Sequence, residues 1–181
     1  MPEQVALRMI DLIDKDGFRA NVGIVLMQQD GRVFLGKRAG GKGWQFPQGG
    51  LHIDESVEQG MYRELAEEIG LSPDDVRIVG VTRRWLRYRL PQRYQRRDQL
   101  PLCIGQKQRW YLLESRYESP PVRFDHTEEP EFCEWRWSDW WEPVREVIHF
   151  KRPIYRRALQ ELGRFAFPTG LPPYPDWWSK G

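Results

Sequence analysis

Cysteine is scarce: Cys103 and Cys133 are the only two in 181 residues, too few for a disulfide framework and outside any paired metal-binding spacing. Both read as reduced structural thiols of a cytoplasmic protein. Long apolar runs are missing as well, and nothing approaches the length of a membrane-spanning helix, so no membrane partner is expected. The opening residues, Met1-Pro2-Glu3-Gln4, carry neither the basic start nor the apolar stretch of a secretory signal. Net charge is nearly absent: 28 Lys and Arg against 26 Asp and Glu leave +2, so the total says little about a polyanionic partner. There is no internal repeat. What remains, 40% apolar and 30% charged, is the composition of a soluble globular chain long enough for one domain with a full core.

Charge that is balanced overall is not evenly spread. Residues 83–97 hold seven arginines interleaved with Trp85, Tyr88 and Tyr94. Arginine neutralises phosphate and aromatic rings stack on bases, so the segment suits a nucleic-acid surface. An ordinary basic edge strand and loop has the same composition, and the segment alone does not choose between them.

Periodicity supplies the rest of the outline. Val22–Met27 is a buried-strand run, Gln29-Asp30-Gly31 a hairpin turn, and Val33–Gly36 its return strand. A glycine loop at 40–43 leads to Trp44–Pro47. Val76–Tyr88 has strand composition, a Pro- and Arg-rich loop spans about 91–106, and Arg109–Leu113 and Glu134–Trp137 add strands. Pro153–Phe165 reads as an amphipathic helix with an early proline. The irregular alternation favours a mixed α/β sandwich over a doubly wound sheet. Residues 1–11 are expected to be an extension, with Met9 an alternative start, and 12–167 the folded domain. The Pro/Trp-containing tail, 168–181, is expected to be extended and loosely held.

The most informative stretch is 49–71, GGLHIDESVEQGMYRELAEEIGL. Met61, Leu65 and Ile69 recur every four residues as the buried stripe of a helix over roughly 56–69, with Gly70 as its C-terminal stop. On that helix Glu64, Glu67 and Glu68 share about a third of the circumference. Three crowded carboxylates repel one another and call for a cation, and oxygen donors select a hard ion such as Mg²⁺ or Mn²⁺. Taken alone, Arg-Glu-Leu-x-Glu-Glu is an ordinary solvated helix face. The surrounding Gly49, Glu55 and Gly70 at fixed spacing argue against that.

With those positions, Gly49, Glu55, Arg63, Glu64, Leu65, Glu67, Glu68, Gly70 and Leu71 resemble every fixed position of the 23-residue Nudix box. The resemblance implies a Nudix fold, a mixed-sheet α/β/α sandwich, and metal-assisted attack of water on a phosphoanhydride. It implies Glu64, Glu67 and Glu68 as ligands of Mg²⁺ (or Mn²⁺), the Gly49 carbonyl as a further ligand, and Glu55 paired with Arg63 at the helix start. Glu64 is the first choice for general base. Glu131 is the second, and a further ligand.

Outside the box, Gly17–Gly23, Trp44–Gly50, Arg84–Tyr88, Gly105–Gln108, Pro130–Phe132, Trp135–Trp137 and Phe150–Arg152 resemble the bacterial RNA pyrophosphohydrolases, a branch of that superfamily, over about 17–167. Phe18 departs from the pattern, where tyrosine is frequent. This resemblance implies conversion of 5′-tri- and diphosphorylated RNA to monophosphate, which triggers mRNA decay. Arg19, Arg38 and Lys151 would hold phosphates, and Tyr88 and Phe150 would sandwich a base. Gln45, Gln48, Gln106 and Gln108 would line the cleft. A monomer is expected, with room for a protein activator. The alternative is a dinucleoside polyphosphate hydrolase, because Tyr88, 17 residues beyond Leu71, also fits those enzymes. A Nudix domain that binds without turnover would have lost box glutamates, and none is lost here.

Overall fold

The computed structural model describes residues 12–41 and 43–180. The expectations placed on residues 1–11, the extension and the alternative start, lie outside these. Eight strands form one mixed sheet: β1 (Phe18–Met27), β2 (Val33–Arg38), β3 (Trp44–Gln45), β4 (Gln48–Gly50), β5 (Val76–Val81), β6 (Leu86–Arg89), β7 (Gly105–Ser115) and β8 (Phe132–Ser138). The main path runs β3-β2-β1-β7-β5, with β4 on β1, β6 on β7 and β8 on β2. Among the described residues only β1 and β7 pair in parallel, and the other strand pairs are antiparallel.

One irregularity in this sheet positions the site. β1 and β2 form a hairpin yet share a single registered pair, Met27 with Val33. Beyond it the strands part, and β4 takes the vacated edge of β1, pairing Asn21–Gly23 with Gly50–Gln48. The wing made of β2, β3 and β8 therefore splays from the β1–β7 body. A polar cleft opens between them.

A helix covers each face. α1 (Val57–Ile69) buries Met61, Leu65 and Ile69 against Val22, Ile24 and Leu113, the spacing expected from sequence. Its ends are set locally. Ser56 Oγ accepts from the Gln59 N–H and Gln59 Oε1 accepts from the Ser56 N–H, a reciprocal cap. Gly70 closes the helix at φ 72°, a left-handed conformation suited to glycine. On the opposite face α3 (Arg152–Ala166) packs Ile154, Tyr155, Ala158, Leu159 and Leu162 onto Trp110, Leu112 and Phe46. Each of the buried Ile, Leu and Met side chains contributes about 1.5–3 kcal/mol of burial.

Three expectations need correcting. Val76–Tyr88 is two strands, because at Thr82 the hydroxyl takes the Trp110 N–H at 3.0 Å and the Arg83 N–H turns to Glu161, which ends the ladder. A short helix, α2 (Glu142–Glu146), lies where no element was expected. The tail is extended but not loose. Trp141 Nε1 donates to the Pro172 carbonyl at 3.0 Å, and Tyr174 and Trp178 sit 4.9 and 4.8 Å from the Trp141 ring. Proline has little freedom to lose, so an apolar ledge fixes such a segment cheaply. The cysteines are free, but Cys133 is exposed rather than packed.

Candidate active site

Arg63 organises the mouth of α1. Its Nε and Nη2 grip both oxygens of Glu55 at 2.9 and 2.6 Å, and Nη2 also donates to the Gly50 carbonyl at 2.7 Å. Nη1 donates to Glu64 at 2.7 Å and to Glu67 at 3.2 Å. Glu55 in turn accepts from the His52 N–H at 2.8 Å, so one guanidinium ties the helix to the loop before it. The bidentate pairing holds the Glu55 carboxyl below its usual range.

The three helix carboxylates occupy different settings. Glu67 is half exposed and leans on Arg63. Glu64 is buried, and burial raises its pKa despite the Arg63 bond. Its carboxyl lies so close to Gly49 that a Cβ at that position would overlap it. Glu68 accepts from the Gln48 N–H at 3.0 Å, and its pKa stands well above the ordinary range. Burial is the main cause, with repulsion from Glu64 and Glu131 added.

Glu131, just before β8, reaches the same cleft. The Gln45 amide links it to α3's leading turn: Gln45 Nε2 donates to Glu131 at 3.1 Å, and Lys151 Nζ donates to Gln45 Oε1 at 3.4 Å. Arg38 sits where the β2–β8 register shifts, 3.5 Å from Glu131, a charge contact rather than a hydrogen bond. Lys151 is buried, and burial together with the Arg38 charge pulls its pKa down to about 8, against the opposing pull of Glu131 and Glu68. Arg19, on β1, lies along β4, where a Cβ on Gly50 would meet its guanidinium at 2.6 Å.

The donor set suits a hard divalent cation. Glu64, Glu68 and Glu131 crowd one cleft, where burial first and mutual repulsion second raise the pKa of Glu64 and Glu68. Among the described residues no three acidic side chains yet stand as a closed ligand cage. Glu64 and Glu67 are turned toward Arg63 instead.

The floor of the cleft is amide. Gln108 Nε2 donates to Asn21 at 2.8 Å and to Gln48 at 3.3 Å, and Tyr88 donates to Gln106 at 2.7 Å. Tyr88 and Phe150 do meet, with centroids 6.3 Å apart and planes 29° from parallel. That is less than two stacking steps of about 3.4 Å, and Tyr88 is only 7% exposed. The expected sandwich is therefore not open as the rings stand, and Phe150 presents the more accessible face. Sequence reasoning did not find Tyr155, whose hydroxyl takes the Phe46 N–H at 2.9 Å beneath Gln45. It reads as one more apolar position of α3.

The run 83–97 divides. Arg87 is drawn to Asp14 and Asp16 on the α1 side of the sheet, whereas Tyr94 lies against Phe150.

Residues 17–162 match the family model described as the NUDIX domain. A protein of Alkalilimnicola ehrlichii described as an RNA pyrophosphohydrolase is 54% identical over 164 residues, 91% of each chain. One of Xanthomonas axonopodis pv. citri, with the same description, is 54% identical over 86% of this chain and 76% of its own. Among solved structures, E. coli dihydroneopterin triphosphate pyrophosphohydrolase superposes with a TM-score of 0.62 at 17% identity, covering 78% of this chain and 94% of its own. A C. elegans Ap4A hydrolase gives 0.53 at 16%, covering 76% and 93%. These last two likenesses concern the fold.

Proposed function

The chain belongs to the Nudix family, and from that premise we propose that it is an RNA 5′ pyrophosphohydrolase. It would remove terminal phosphates from 5′-tri- or diphosphorylated RNA, leave a 5′-monophosphate and so expose the transcript to decay. The observation that carries the reading is the convergence of the Glu64–Glu68–Glu131 carboxylates with Arg38, Lys151 and the Phe150 ring around one cleft. Anionic phosphates need the cations, the reacting linkage needs the carboxylates, and a nucleobase needs the ring.

Glu64, Glu67, Glu68 and Glu131, with the Gly49 carbonyl, would hold a divalent cation, Mg²⁺ or Mn²⁺. When bound, such an ion neutralises phosphate charge and lowers the pKa of its water. The protein's own groups do the rest. Lys151, Arg38 and Arg19 hold the phosphate chain and compensate charge on the departing oxygen. Glu64, its carboxyl against the Gly49 backbone, takes the proton of the attacking water. Glu131, fixed by Gln45, flanks the opposite wall. Arg63 positions Glu64 from behind.

The test is a direct competition in the presence of Mg²⁺, a short 5′-triphosphate RNA against diadenosine tetraphosphate. The RNA is expected to be consumed with the higher kcat/KM. Much faster cleavage of the dinucleotide, with the RNA barely touched, would overturn the reading in favour of the alternative substrate class.

A pH consequence follows from Lys151. Its ammonium is the phosphate-binding form, and it is lost as pH rises through about 8. The kcat/KM for RNA should therefore fall above that pH. Lys151→Arg should carry activity to higher pH, because guanidinium stays charged there. Lys151→Met should lose roughly 10- to 100-fold below pH 8, the equivalent of one charge-assisted bond, and should flatten the limb. A falling limb that persists unchanged in Lys151→Met would assign it to another group.

A further inference from the structure

Of the glutamines along the cleft, Gln108 lies deepest, with no exposed surface. It stands on β7 in register with Asn21 of β1, itself 3% exposed. Its Nε2 donates to Asn21 Oδ1 at 2.8 Å and, past β1, to Gln48 Oε1 on β4 at 3.3 Å. One buried amide thus ties three neighbouring strands, β7, β1 and β4.

Packing alone does not account for this residue. Gln108 Oε1 finds no donor among the described residues, and a buried acceptor left unmatched costs about 1–3 kcal/mol. An apolar side chain at the position would carry no such cost. The amide is explained by what its N–H groups hold, and what they hold is β4. That strand is three residues long and two of them are glycines, so Gln48 supplies its only side chain. The same strand meets the carboxylates. The Gln48 N–H donates to Glu68 Oε2 at 3.0 Å, and the Glu64 carboxyl lies against Gly49. Backbone pairing with Asn21–Gly23 fixes β4 along one edge, and the bond from Gln108 adds a second point of attachment.

We propose that Gln108 is a positioning residue for the carboxylate cluster. Through Gln48 it fixes the β4 backbone that meets Glu64 and Glu68, and so sets how tightly those carboxylates take up a divalent cation. The inference rests on the metal-assisted reading above and adds to it a residue that touches neither substrate nor cation. Groups that orient metal ligands from behind typically change metal affinity or activity by about 10- to 100-fold when they are removed.

The experiment measures Mn²⁺ binding to the full-length chain, from the paramagnetic resonance signal of the free ion. Beside it stand kcat and KM for a 5′-triphosphate RNA with Mg²⁺, and thermal melts of the metal-free protein. The variants are Gln108→Met, Gln48→Met and the two together. Gln108→Met should weaken the tightest Mn²⁺ site about tenfold or more and lower kcat at limiting Mg²⁺. The KM for RNA should stay as in the wild type, because Arg38 and Lys151 keep their places. Gln48→Met cuts the same link from its half-buried end and should show the same loss. The double variant should be no worse than either single one, since both changes break one bond. Unchanged Mn²⁺ affinity in Gln108→Met overturns the proposal, and a lower Tm without that loss would mark an amide that serves only the core. Losses that multiply in the double variant overturn it too, because the two glutamines would then act separately. Should Gln108→Met not fold, Gln48→Met decides by the same affinity measurement. A wild type that takes up no Mn²⁺ would instead remove the metal reading, and the proposal with it.

Discussion

Glu68→Gln is expected to abolish Mg²⁺-dependent turnover, by at least about a thousandfold in kcat, while leaving the fold as stable as before or more so. The first half follows from charge. Glu68 stands in the cleft between Glu64 and Glu131, and losing its anionic oxygen removes several kcal/mol of cation-mediated stabilisation. The second half follows from linkage. A carboxyl whose folded pKa is raised contributes stability in its protonated form, present below the unfolded pKa of about 4.5 and lost as pH climbs toward the folded value. Glutamine keeps the shape without the charge, so above that window it lacks the penalty. With metal chelated, the melting temperature of Glu68→Gln should gain on that of the wild type as pH rises from acid toward neutral. A binding module without chemistry would keep its function in this variant. Retained turnover would remove Glu68 from the catalytic set.

Arg63→Ala should be damaging in the opposite way, by unfolding as well as by inactivation. Five hydrogen bonds end on this one guanidinium, and its partners Glu55 and Glu64 are both largely buried. Removing the cation strands two carboxylates in a poorly solvated pocket, a change that costs about 3–5 kcal/mol in comparable buried pairs. In a domain of this size that lowers Tm by about 10 °C. Arg63→Lys should recover only part of it, since an ammonium cannot grip both oxygens of Glu55 and reach the Gly50 carbonyl together. Calorimetry at neutral pH decides the matter: a drop under about 1 kcal/mol would mean the network is replaced by solvent. Glu55→Gln, which spares the metal-facing carboxylates, should share the loss of stability more than the loss of rate.

What could be read from sequence was what local chemistry encodes. α1 was legible because Ser56, Gly70 and the Met61–Leu65–Ile69 stripe sit within one short segment. The strands around Val22–Met27 and Arg109–Leu113 were legible because buried runs are unambiguous, although both extend further than their apolar cores. The break at Thr82 was not, since it depends on a hydroxyl meeting Trp110 from another strand. α2 was missed for a similar reason: five residues are too few to carry a period, and the segment is held by the tail folding back on Trp141. In the site, the box residues came with their spacing. The order of the cleft wall, Glu131 to Gln45 to Lys151, joins positions up to 106 residues apart and exists only once β2, β8 and α3 have packed.

Phe150 and Lys151 are consecutive, in the single turn that leads into α3. The grip on the phosphates and the surface offered to a base therefore cannot be adjusted independently. Both ride on one helix, and the tail runs along that helix, with Trp178 under Arg156 near its start and Leu171 against Gly163 near its end. Substrate recognition at the cleft and the seating of the tail thus draw on one and the same helix.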